Sequence, residues 1–170
     1  RLLTTRNVVQ ALSGRKGKQT VLFSTSAIGY YGSRGDEELD EESAPGDDFL
    51  ATLSRDWEDT AMEAEAFGAR VVLTRFGIVL GRNGGALQKM LPPFKWCLGS
   101  PLGSGRQWFS WIHREDLART YLHLLDRPEI LGPVNCTAPN PVQNRDLTKR
   151  LGEALGRPTV GHLDPAFGGM

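Results

Sequence analysis

The sequence predicts an α/β fold in which a parallel β-sheet is covered by helices, and three observations support this prediction. Residues 20–23 (TVLF) and 70–76 (RVVLTRF) are short runs rich in β-forming residues, as in buried strands. Between them, residues 48–68 place an apolar residue at every third or fourth position, which indicates an amphipathic helix. A helix between two buried strands is typical of a parallel sheet.

The N-terminal part of the chain begins with a predicted helix at residues 1–12, where apolar residues recur at nearly helical spacing. A basic, glycine-containing loop is expected at residues 13–19, before the first strand. The small residues 24–27 predict that this strand ends there in a loop. Residues 32–46 are polar and acidic with Gly and Pro, so we expect an exposed loop.

The central helix has start and stop signals of its own. Asp47 and Asp48 are suitable N-cap residues, because a short carboxylate can accept hydrogen bonds from the free N–H groups of the first turn. Gly68 is suited to the left-handed position that follows the last turn.

In the rest of the chain the patterns of apolar and β-forming residues are weaker. They predict strands at 108–112 and 133–137 and helices at 86–91, 113–125 and 143–155. A glycine-rich turn at residues 81–85 precedes the first of these helices, and Pro92 and Pro93 are expected to interrupt it. Only two strands are strong, whereas a doubly wound sheet usually has about five or more. We therefore expect part of a domain, with the missing strands upstream of Arg1.

The composition restricts the class of protein before any motif is considered. The 170 residues include 20 Lys or Arg and 20 Asp or Glu, and hydrophobic residues make up 39%. These values are ordinary for a soluble globular domain, and the balanced charge argues against nucleic acid as a partner. No apolar run approaches the roughly 20 residues that span a bilayer, so no membrane partner is expected.

Cysteine and histidine usage argues against structural cross-links. Cys97 and Cys136 do not form a disulfide framework, and the three histidines are scattered. These spacings differ from those of zinc ligands, so no metal site is expected. Free cysteines are typical of a reducing compartment, and we expect a cytoplasmic protein.

Five short motifs follow one another along the chain: FSTS at 23–26, YYG at 30–32, RFGIVLG at 75–81, WIHREDL at 111–117 and GPVN at 132–135. In this order they resemble the later two thirds of an extended short-chain dehydrogenase/reductase. Four more motifs are GGAL at 84–87, LPPF at 91–94, GSGRQ at 103–107 and APNP at 138–141. They resemble the uncharacterised "epimerase family" branch of NAD(P)-dependent nucleoside-diphosphate-sugar epimerase-like proteins. The resemblance extends to about Val160.

The resemblance implies a partial NAD(P)-binding Rossmann fold with part of a small C-terminal substrate region. Residues 1–82 would be the C-terminal part of the dinucleotide-binding domain, and residues 83–170 the substrate-side region, interleaved with the last Rossmann elements. The family's phosphate-binding glycine loop would lie upstream of Arg1, because residues 81–85 lack the G-x-G-x-x-G spacing. The implied cofactor is NAD or NADP, with NADP slightly favoured.

The residues that the resemblance places near the cofactor are Arg1, Ser24, Thr25, Arg75, Gly77 and Val79. Ser24 and Thr25 match the strand end that faces the nicotinamide ribose, although small residues can equally serve only to close a strand. Val79 lies in a segment that passes over the nicotinamide, and a plain core position is the alternative. Arg1 matches the start of a helix that reaches the cofactor, with a surface cation as the alternative.

The residues for proton transfer depart from the superfamily's pattern. Active members combine a Ser or Thr with a Tyr and a Lys four residues later on one helix, where the ammonium lowers the pKa of the phenol. Ser26 matches the Ser position. Alignment on Glu58 puts Leu50 and Ser54 at the Tyr and Lys positions, and residues 48–68 contain neither Tyr nor Lys.

The proton donor is then expected to be Tyr30 or a water molecule, and the neighbouring Tyr31 is a second tyrosine that could reach the site. Both follow the first strand, where an aromatic side chain that anchors the loop is the alternative interpretation. Ser26 and Tyr30 are the candidate catalytic residues, with Ser26 orienting a substrate hydroxyl or carbonyl.

On the substrate side, the candidates for ligand contact are Arg106, Trp108 and His113. Sugar-nucleotide epimerases often use an Arg to bind a diphosphate at the position that Phe109 occupies here, and Arg106 is a nearby replacement. Trp108 indicates a more aromatic pocket, or is part of the core. His113 faces the pocket, or caps the start of the next helix.

Two functions of different classes remain open. One is hydride transfer to or from an unknown small molecule by an NAD(P)-dependent oxidoreductase or epimerase-like enzyme with an altered proton-transfer set. The other is dinucleotide binding without catalysis by a sensor or scaffold protein, which the missing Tyr and Lys would explain. A homodimer is compatible with both.

Overall fold

The computed structural model describes residues 2–15, 20–82 and 84–160. Arg1, one of the predicted cofactor contacts, lies outside these ranges. The chain divides into two compact units, and the candidate site below lies within the first of them.

Helices and strands alternate along the chain. The helices are α1 (Leu2–Leu12), α2 (Phe49–Met62), α3 (Gly85–Lys95), α4 (Arg114–Asp126) and α5 (Asn144–Leu155). The strands are β1 (Thr20–Ala27), β2 (Ala69–Phe76), β3 (Ile78–Gly81), β4 (Trp108–Phe109), β5 (Trp111–His113), β6 (Gly132–Cys136) and β7 (Val142–Gln143). Short 3-10 helices occupy Ser13–Arg15, Ile28–Tyr31 and Glu63–Phe67.

Unit 1 comprises residues 1–77 and 115–137 and contains a three-stranded sheet in the order β1-β2-β6. Both strand pairs are parallel, and the register aligns Ser26 with Arg75 and Arg75 with Asn135. Parallel neighbours require a crossover connection, which α2 provides between β1 and β2. The predicted α/β fold with a parallel sheet flanked by helices is confirmed.

The two faces of this sheet pack against different helices. On one face, α1, α2 and the turn after α2 bury an apolar cluster formed by Val9, Ala61, Ala64, Ala69, Val71 and Leu73. The alanines of this cluster are small, so α2 can lie close to the strands. On the opposite face, Tyr121 of α4 packs edge-to-face against Phe23 and Phe76.

Helix α2 begins and ends as its capping signals predict. The Asp48 side chain accepts a 2.8 Å hydrogen bond from the backbone N–H of Ala51. A 3-10 turn continues the helix to Phe67, and Gly68 then adopts the left-handed conformation with φ 80°.

Strand β1 is longer than predicted. Residues 24–27, which were expected to form a loop, pair in parallel with residues 73–76 of β2. Ser24 and Ser26 are buried on the side of the sheet that faces α2. Small side chains fit this narrow space, and the Ser26 hydroxyl finds a partner in Glu58 of α2. The small residues here therefore reflect close packing between sheet and helix and do not mark the end of the strand.

Unit 2 comprises residues 78–114 and 138–170. Its described part contains a parallel pair, β3 and β5, and an antiparallel pair, β4 and β7. The predicted strand at 108–112 is therefore two short strands that belong to different pairs. Helix α3 lies against β3 and α5.

Helix α3 continues through Pro92 and Pro93, which corrects the expected interruption. A proline inside a helix removes one backbone hydrogen bond, so other contacts must offset the loss. Phe94 is buried and lies against Gly99, where a side chain would collide with its ring. The Pro93 carbonyl also accepts a 3.2 Å hydrogen bond from the N–H of Trp96, which closes the last turn.

Candidate functional site

The carboxyl ends of β1, β2 and β6 bring three polar residues of unit 1 into line. The strand register places Ser26, Arg75 and Asn135 side by side on neighbouring strands. Ligands of open parallel α/β sheets bind outside the carboxyl ends of the strands. This edge of the sheet is therefore the candidate functional site.

A buried ion pair between Arg75 of β2 and Glu58 of α2 lies at this edge. The guanidinium donates from Nε to Glu58 Oε1 at 2.9 Å and from Nη2 to Glu58 Oε2 at 2.8 Å. Arg75 is 2% exposed and Glu58 is 4% exposed. Two parallel hydrogen bonds match the planar fork of the guanidinium, and they offset the cost of removing both charges from water.

The arginine of this pair stays charged. Burial by itself would lower the pKa of the Arg75 guanidinium, but its hydrogen bonds with Glu58 and Tyr31 outweigh burial and raise that pKa above its ordinary value. Arg75 is therefore a permanent cation held inside unit 1.

The helical period explains why Glu58 points inward. Ala51, Ser54, Glu58 and Ala61 recur at intervals of three or four residues along α2, and all four are buried. Three of these side chains are small, which leaves room for the carboxylate to reach Arg75 across the interface between helix and sheet.

Ser26 contacts the same carboxylate from the neighbouring strand. Its hydroxyl donates a 2.6 Å hydrogen bond to Glu58 Oε1, the oxygen that also accepts from Arg75 Nε. Ser26 is buried, and its proton is occupied by this bond. The hydroxyl can therefore serve another group only as a hydrogen-bond acceptor.

Tyr31 and Asn135 extend the network toward β6. Arg75 Nη1 donates to the Tyr31 hydroxyl at 2.9 Å, and that hydroxyl donates to Asn135 Oδ1 at 2.7 Å. Burial raises the pKa of the Tyr31 phenol above its ordinary value, although Arg75 acts in the opposite direction. Tyr31 is thus a buried, neutral link between two strands.

The acidic loop at residues 32–46 is fastened to this network by Glu41. The Glu41 carboxylate accepts a 2.7 Å hydrogen bond from the backbone N–H of Asn135, and its carbonyl accepts one from Arg75 Nη1 at 3.3 Å. At the base of the loop, the N–H of Gly46 donates to the Tyr30 carbonyl at 2.9 Å. Much of the loop is exposed, as expected, but it is held to the sheet at Glu41 and to the 3-10 helix Ile28–Tyr31 at Gly46.

Tyr30 lies on the other side of the arginine. The guanidinium carbon of Arg75 is 3.6 Å from the centre of the Tyr30 ring, a close cation–π contact. The Tyr30 and Tyr31 rings meet edge-to-face, with their centres 5.3 Å apart. Tyr30 is half-buried, whereas its neighbour Tyr31 is buried.

The two residues of α2 that align with the superfamily's Tyr and Lys carry neither a phenol nor an ammonium group. Leu50, which aligns with the superfamily's Tyr, is 61% exposed, and Ser54, which aligns with the Lys, is buried. Gly29 lies next to Leu50 and leaves open space, since a Cβ there would meet only the Leu50 Cβ, at 4.0 Å. The surface at this point is apolar and open.

The other predicted cofactor contacts in unit 1 also lie near the strand ends. Ser24 is buried, and its carbonyl accepts a hydrogen bond from Thr74. Thr25 is exposed on the opposite face of the sheet, with its hydroxyl 3.4 Å from that of Tyr121. Gly77 is buried and its N–H donates to a carbonyl of β6. The Arg75 side chain is occupied within the unit, as described above.

Four of the predicted ligand contacts lie in unit 2. Val79 of β3 pairs with Ile112, and His113 ends β5, the neighbouring strand. Arg106 is exposed, and Trp108 of β4, also exposed, pairs with Gln143. None of these four residues belongs to the network around Arg75, which is formed within unit 1.

Three residues of this network were not predicted as site residues. Glu58 served only as the reference for alignment, although a charged residue on the apolar face of a predicted helix is a combination that requires a buried partner. Glu41 gave no signal, because it stands among several other acidic residues of a loop. Asn135 belonged to a motif, but the motif did not show that its side chain meets Tyr31.

Other kinds of site find no support in the described ranges. No three His, Cys, Asp or Glu residues there are grouped so that they could hold a metal ion. None of the helices in those ranges has the length and apolar character needed to cross a membrane.

Comparison with known proteins places these features in a family. The sequence model of the NAD dependent epimerase/dehydratase family matches residues 1–136. The epimerase family protein SDR39U1 homolog, chloroplastic, of Arabidopsis thaliana is 45% identical over 161 residues, which cover 94% of this chain and 46% of that protein. The chain thus spans about half the length of this relative.

Two solved structures are similar to this one. The nucleoside-diphosphate sugar epimerase from Corynebacterium glutamicum is 40% identical with a TM-score of 0.82, over 94% of this chain and 36% of that one. The human epimerase family protein SDR39U1, solved with NADPH, is 37% identical with a TM-score of 0.83, over 92% of this chain and 53% of that one. The resemblance predicted from the motifs is confirmed, and the chain belongs to the NAD-dependent epimerase/dehydratase family.

Proposed function

We propose that the protein binds a nicotinamide dinucleotide, NADP(H) in preference to NAD(H), at the carboxyl edge of the sheet in unit 1. The observation that supports this most directly is the 37% identity to a human relative solved with NADPH. The choice of NADP(H) follows from that relative.

The side chains at this edge suit the nicotinamide end of such a molecule. Gly29 leaves open space beside the exposed, apolar Leu50, where a flat ring could lie. Thr25 offers an exposed hydroxyl for a ribose or carboxamide group. Ser24 is buried, so its contribution would be to keep the strand end narrow. The bound dinucleotide would supply or accept a hydride.

We propose hydride transfer involving a small-molecule substrate as the reaction. Tyr30 is the proposed proton-transfer residue, because it is the accessible tyrosine beside Arg75. Ser26 is proposed to act through Glu58, whose carboxylate it holds in place. The substrate contacts at Arg106, Trp108 and His113, which belong to unit 2, stay predictions from the sequence.

Titration of the protein, prepared at the full length of its relatives, with NADPH and NADH tests this proposal. We expect nicotinamide fluorescence to change on binding, with tighter binding of NADPH. Thr25→Arg should weaken binding, because it fills the edge of the site, whereas Thr4→Arg on the exposed surface of α1 should not. Absence of binding by both dinucleotides at millimolar concentration would refute the proposal.

A second function is favoured by one observation, the exposed Leu50 and buried Ser54 in place of the proton-transfer pair. In that case the protein binds the dinucleotide as a sensor or scaffold and does not turn it over. Oxidation of NADPH in the presence of a carbonyl compound would exclude this alternative.

A further inference from the structure

We infer that Arg75 is the positioning residue for catalysis and takes the place of the missing helical Lys, with Tyr30 as the phenol that exchanges a proton with the substrate. This inference rests on the proposed function, since it assumes a hydride acceptor bound beside the dinucleotide. According to this inference, the cation that accompanies the phenol is a side chain of strand β2 and not of helix α2.

The first reason is that Arg75 is held rigidly. Its Nε and Nη2 bond to Glu58, and its Nη1 bonds to the Tyr31 hydroxyl and the Glu41 carbonyl. Every nitrogen of the guanidinium therefore has a partner, and the group is nearly inaccessible to solvent. A charge that does not move when the reaction occurs costs no reorganisation, which is the property that preorganised catalytic sites require.

The second reason is that the three tyrosines differ in what their hydroxyls can do. Tyr31 is buried, and its proton is bonded to Asn135. The hydroxyl of Tyr121 lies on the opposite face of the sheet, against Thr74 at 3.1 Å. Tyr30 alone combines partial exposure with direct stacking on Arg75.

The third reason is the position of Tyr30 along the chain. The 3-10 helix Ile28–Tyr31 follows β1 without a break, so it begins at the carboxyl edge of the sheet. The Tyr30 carbonyl is fixed by the N–H of Gly46, which limits movement of the backbone. Tyr30 is thus held at the edge where a ligand is expected.

The electrostatic consequence follows from the stacking distance. A cation attracts the electron-rich face of an aromatic ring, and it attracts that ring more strongly when the ring gains negative charge. At 3.6 Å from the ring centre, Arg75 would therefore stabilise the tyrosine most when its proton has left. This stabilisation is larger in the reacting state than in the resting state, as catalysis demands.

The proton transfer can be written as a balanced step. In the reducing direction, the hydride supplied by the bound dinucleotide forms a C–H bond at the carbonyl carbon of the substrate. The π electrons of the C=O bond move to oxygen, which takes the proton from the Tyr30 hydroxyl and becomes an alcohol. The phenolate left at Tyr30 then takes a proton from water, and the dinucleotide leaves in its oxidised form.

Turnover by the full-length protein tests the role of Tyr30. The probes are para-nitrobenzaldehyde and phenanthrenequinone, with loss of NADPH absorbance as the signal. Tyr30→Phe keeps the aromatic ring on Arg75 and removes the hydroxyl, so we expect kcat to fall on the order of 100-fold with the NADPH dissociation constant unchanged. Ser13→Ala, which removes an exposed hydroxyl just after α1, should leave kcat unchanged.

The positioning role of Arg75 needs a readout that is independent of turnover. The guanidinium carbon of Arg75 lies 3.6 Å from the centre of the Tyr30 ring, so the NMR resonances of the guanidinium group should be displaced upfield by the ring current. Tyr30→Leu should abolish this displacement, and Tyr30→Phe should keep it. Arg75→Lys should lower kcat on the order of tenfold, because the charge remains while the stacked, forked geometry is lost.

If Arg75→Lys does not fold, the double variant Glu58→Gln with Arg75→Gln removes both charges and leaves no unpaired ion, and it should show a similar loss of kcat. Full turnover by Tyr30→Phe would overturn the inference while leaving the proposed dinucleotide binding intact. NADPH binding without turnover of either probe would also overturn it. Absence of NADPH binding would instead remove the proposed function, and the inference with it.

Discussion

The Ser26 hydroxyl and the Glu58 carboxylate are joined by a 2.6 Å hydrogen bond that connects strand β1 to helix α2. Because the same carboxylate binds Arg75 of β2, Glu58 links three elements of unit 1 at the edge where the candidate site lies. The stability of the fold and the geometry of the site therefore depend on the same side chain.

Replacement of Glu58 should strongly destabilise the protein. Glu58→Leu leaves the Arg75 cation buried without its counter-ion, and breaking a buried pair in this way costs about 3–5 kcal/mol. Urea unfolding would measure this loss. Asp59→Asn, an exposed neighbour on the same helix, should change stability by no more than about 0.5 kcal/mol.

The double variant Glu58→Leu with Arg75→Met distinguishes the effect of the unpaired charge on stability from the effect of lost packing. It leaves no uncompensated ion, so it should recover most of the stability that Glu58→Leu loses. If the double variant is as unstable as the single one, packing and not the unpaired charge explains the loss.

Arg70 should contribute to stability through the end of helix α4. Its Nη1 donates to the carbonyls of Arg127 and Ile130 at 2.8 and 2.9 Å, and its Nη2 donates to that of Leu124 at 3.0 Å. The Leu124 carbonyl lies in the last turn of α4 and the other two follow the helix, so Arg70→Met should leave acceptors without this donor and cost about 1–3 kcal/mol in urea unfolding. Arg119→Met, exposed on the same helix, is the matched control, and an equal effect of both variants would contradict this role.

The fold was predictable because local patterns and tertiary packing agree over most of unit 1. The period of α2, its cap at Asp48 and the stop at Gly68 all depend on neighbours within a few residues. Two of the local errors arose where packing outweighs local preference. Pro92 lies inside a helix that Phe94 holds by burial, and the small residues at the end of β1 reflect a narrow interface.

The site was predictable only in part, because its contacts join residues that are far apart in the chain. Ser26 and Glu58 are 32 positions apart, and Tyr31 and Asn135 are 104 apart. No periodicity connects such pairs, and the strand register that aligns them appears only in the folded sheet. The sequence could identify Ser26 and Tyr30 as candidates, but it could not show that Arg75 stacks on Tyr30 and shares the Glu58 carboxylate with Ser26.

Gly46 should be intolerant of a side chain. A Cβ at this position would lie 2.8 Å from both the Gly32 Cα and the Tyr31 carbonyl oxygen, a contact that the backbone must relieve by moving. We expect Gly46→Ala to cost about 1–3 kcal/mol and to make the loop at residues 32–46 more sensitive to proteolysis. Gly14→Ala, where a Cβ meets no atom within 4 Å, is the control. Unchanged proteolysis of the loop would show that its base is more adaptable than this packing implies.

Cys136 should make stability depend on pH in the alkaline range. Burial, with a smaller effect of the Glu41 charge, raises the pKa of its thiol from 9.0 to about 11. Between these values the folded protein keeps its thiol proton while the unfolded chain loses it. The unfolded state then binds fewer protons, so stability is fully present below about pH 9 and falls as the pH rises toward about 11. That difference corresponds to at most about 3 kcal/mol.

Urea unfolding across this interval, compared between the natural chain and Cys136→Ala, isolates the contribution of the thiol. The variant has no thiol to ionise, so its stability should fall less steeply with pH than that of the natural chain. Alkylation with iodoacetamide gives an independent measure, and the half-buried Cys97 should react well before the buried Cys136. Equal slopes in the two proteins would show that Cys136 ionises as readily in the folded protein as in the unfolded chain.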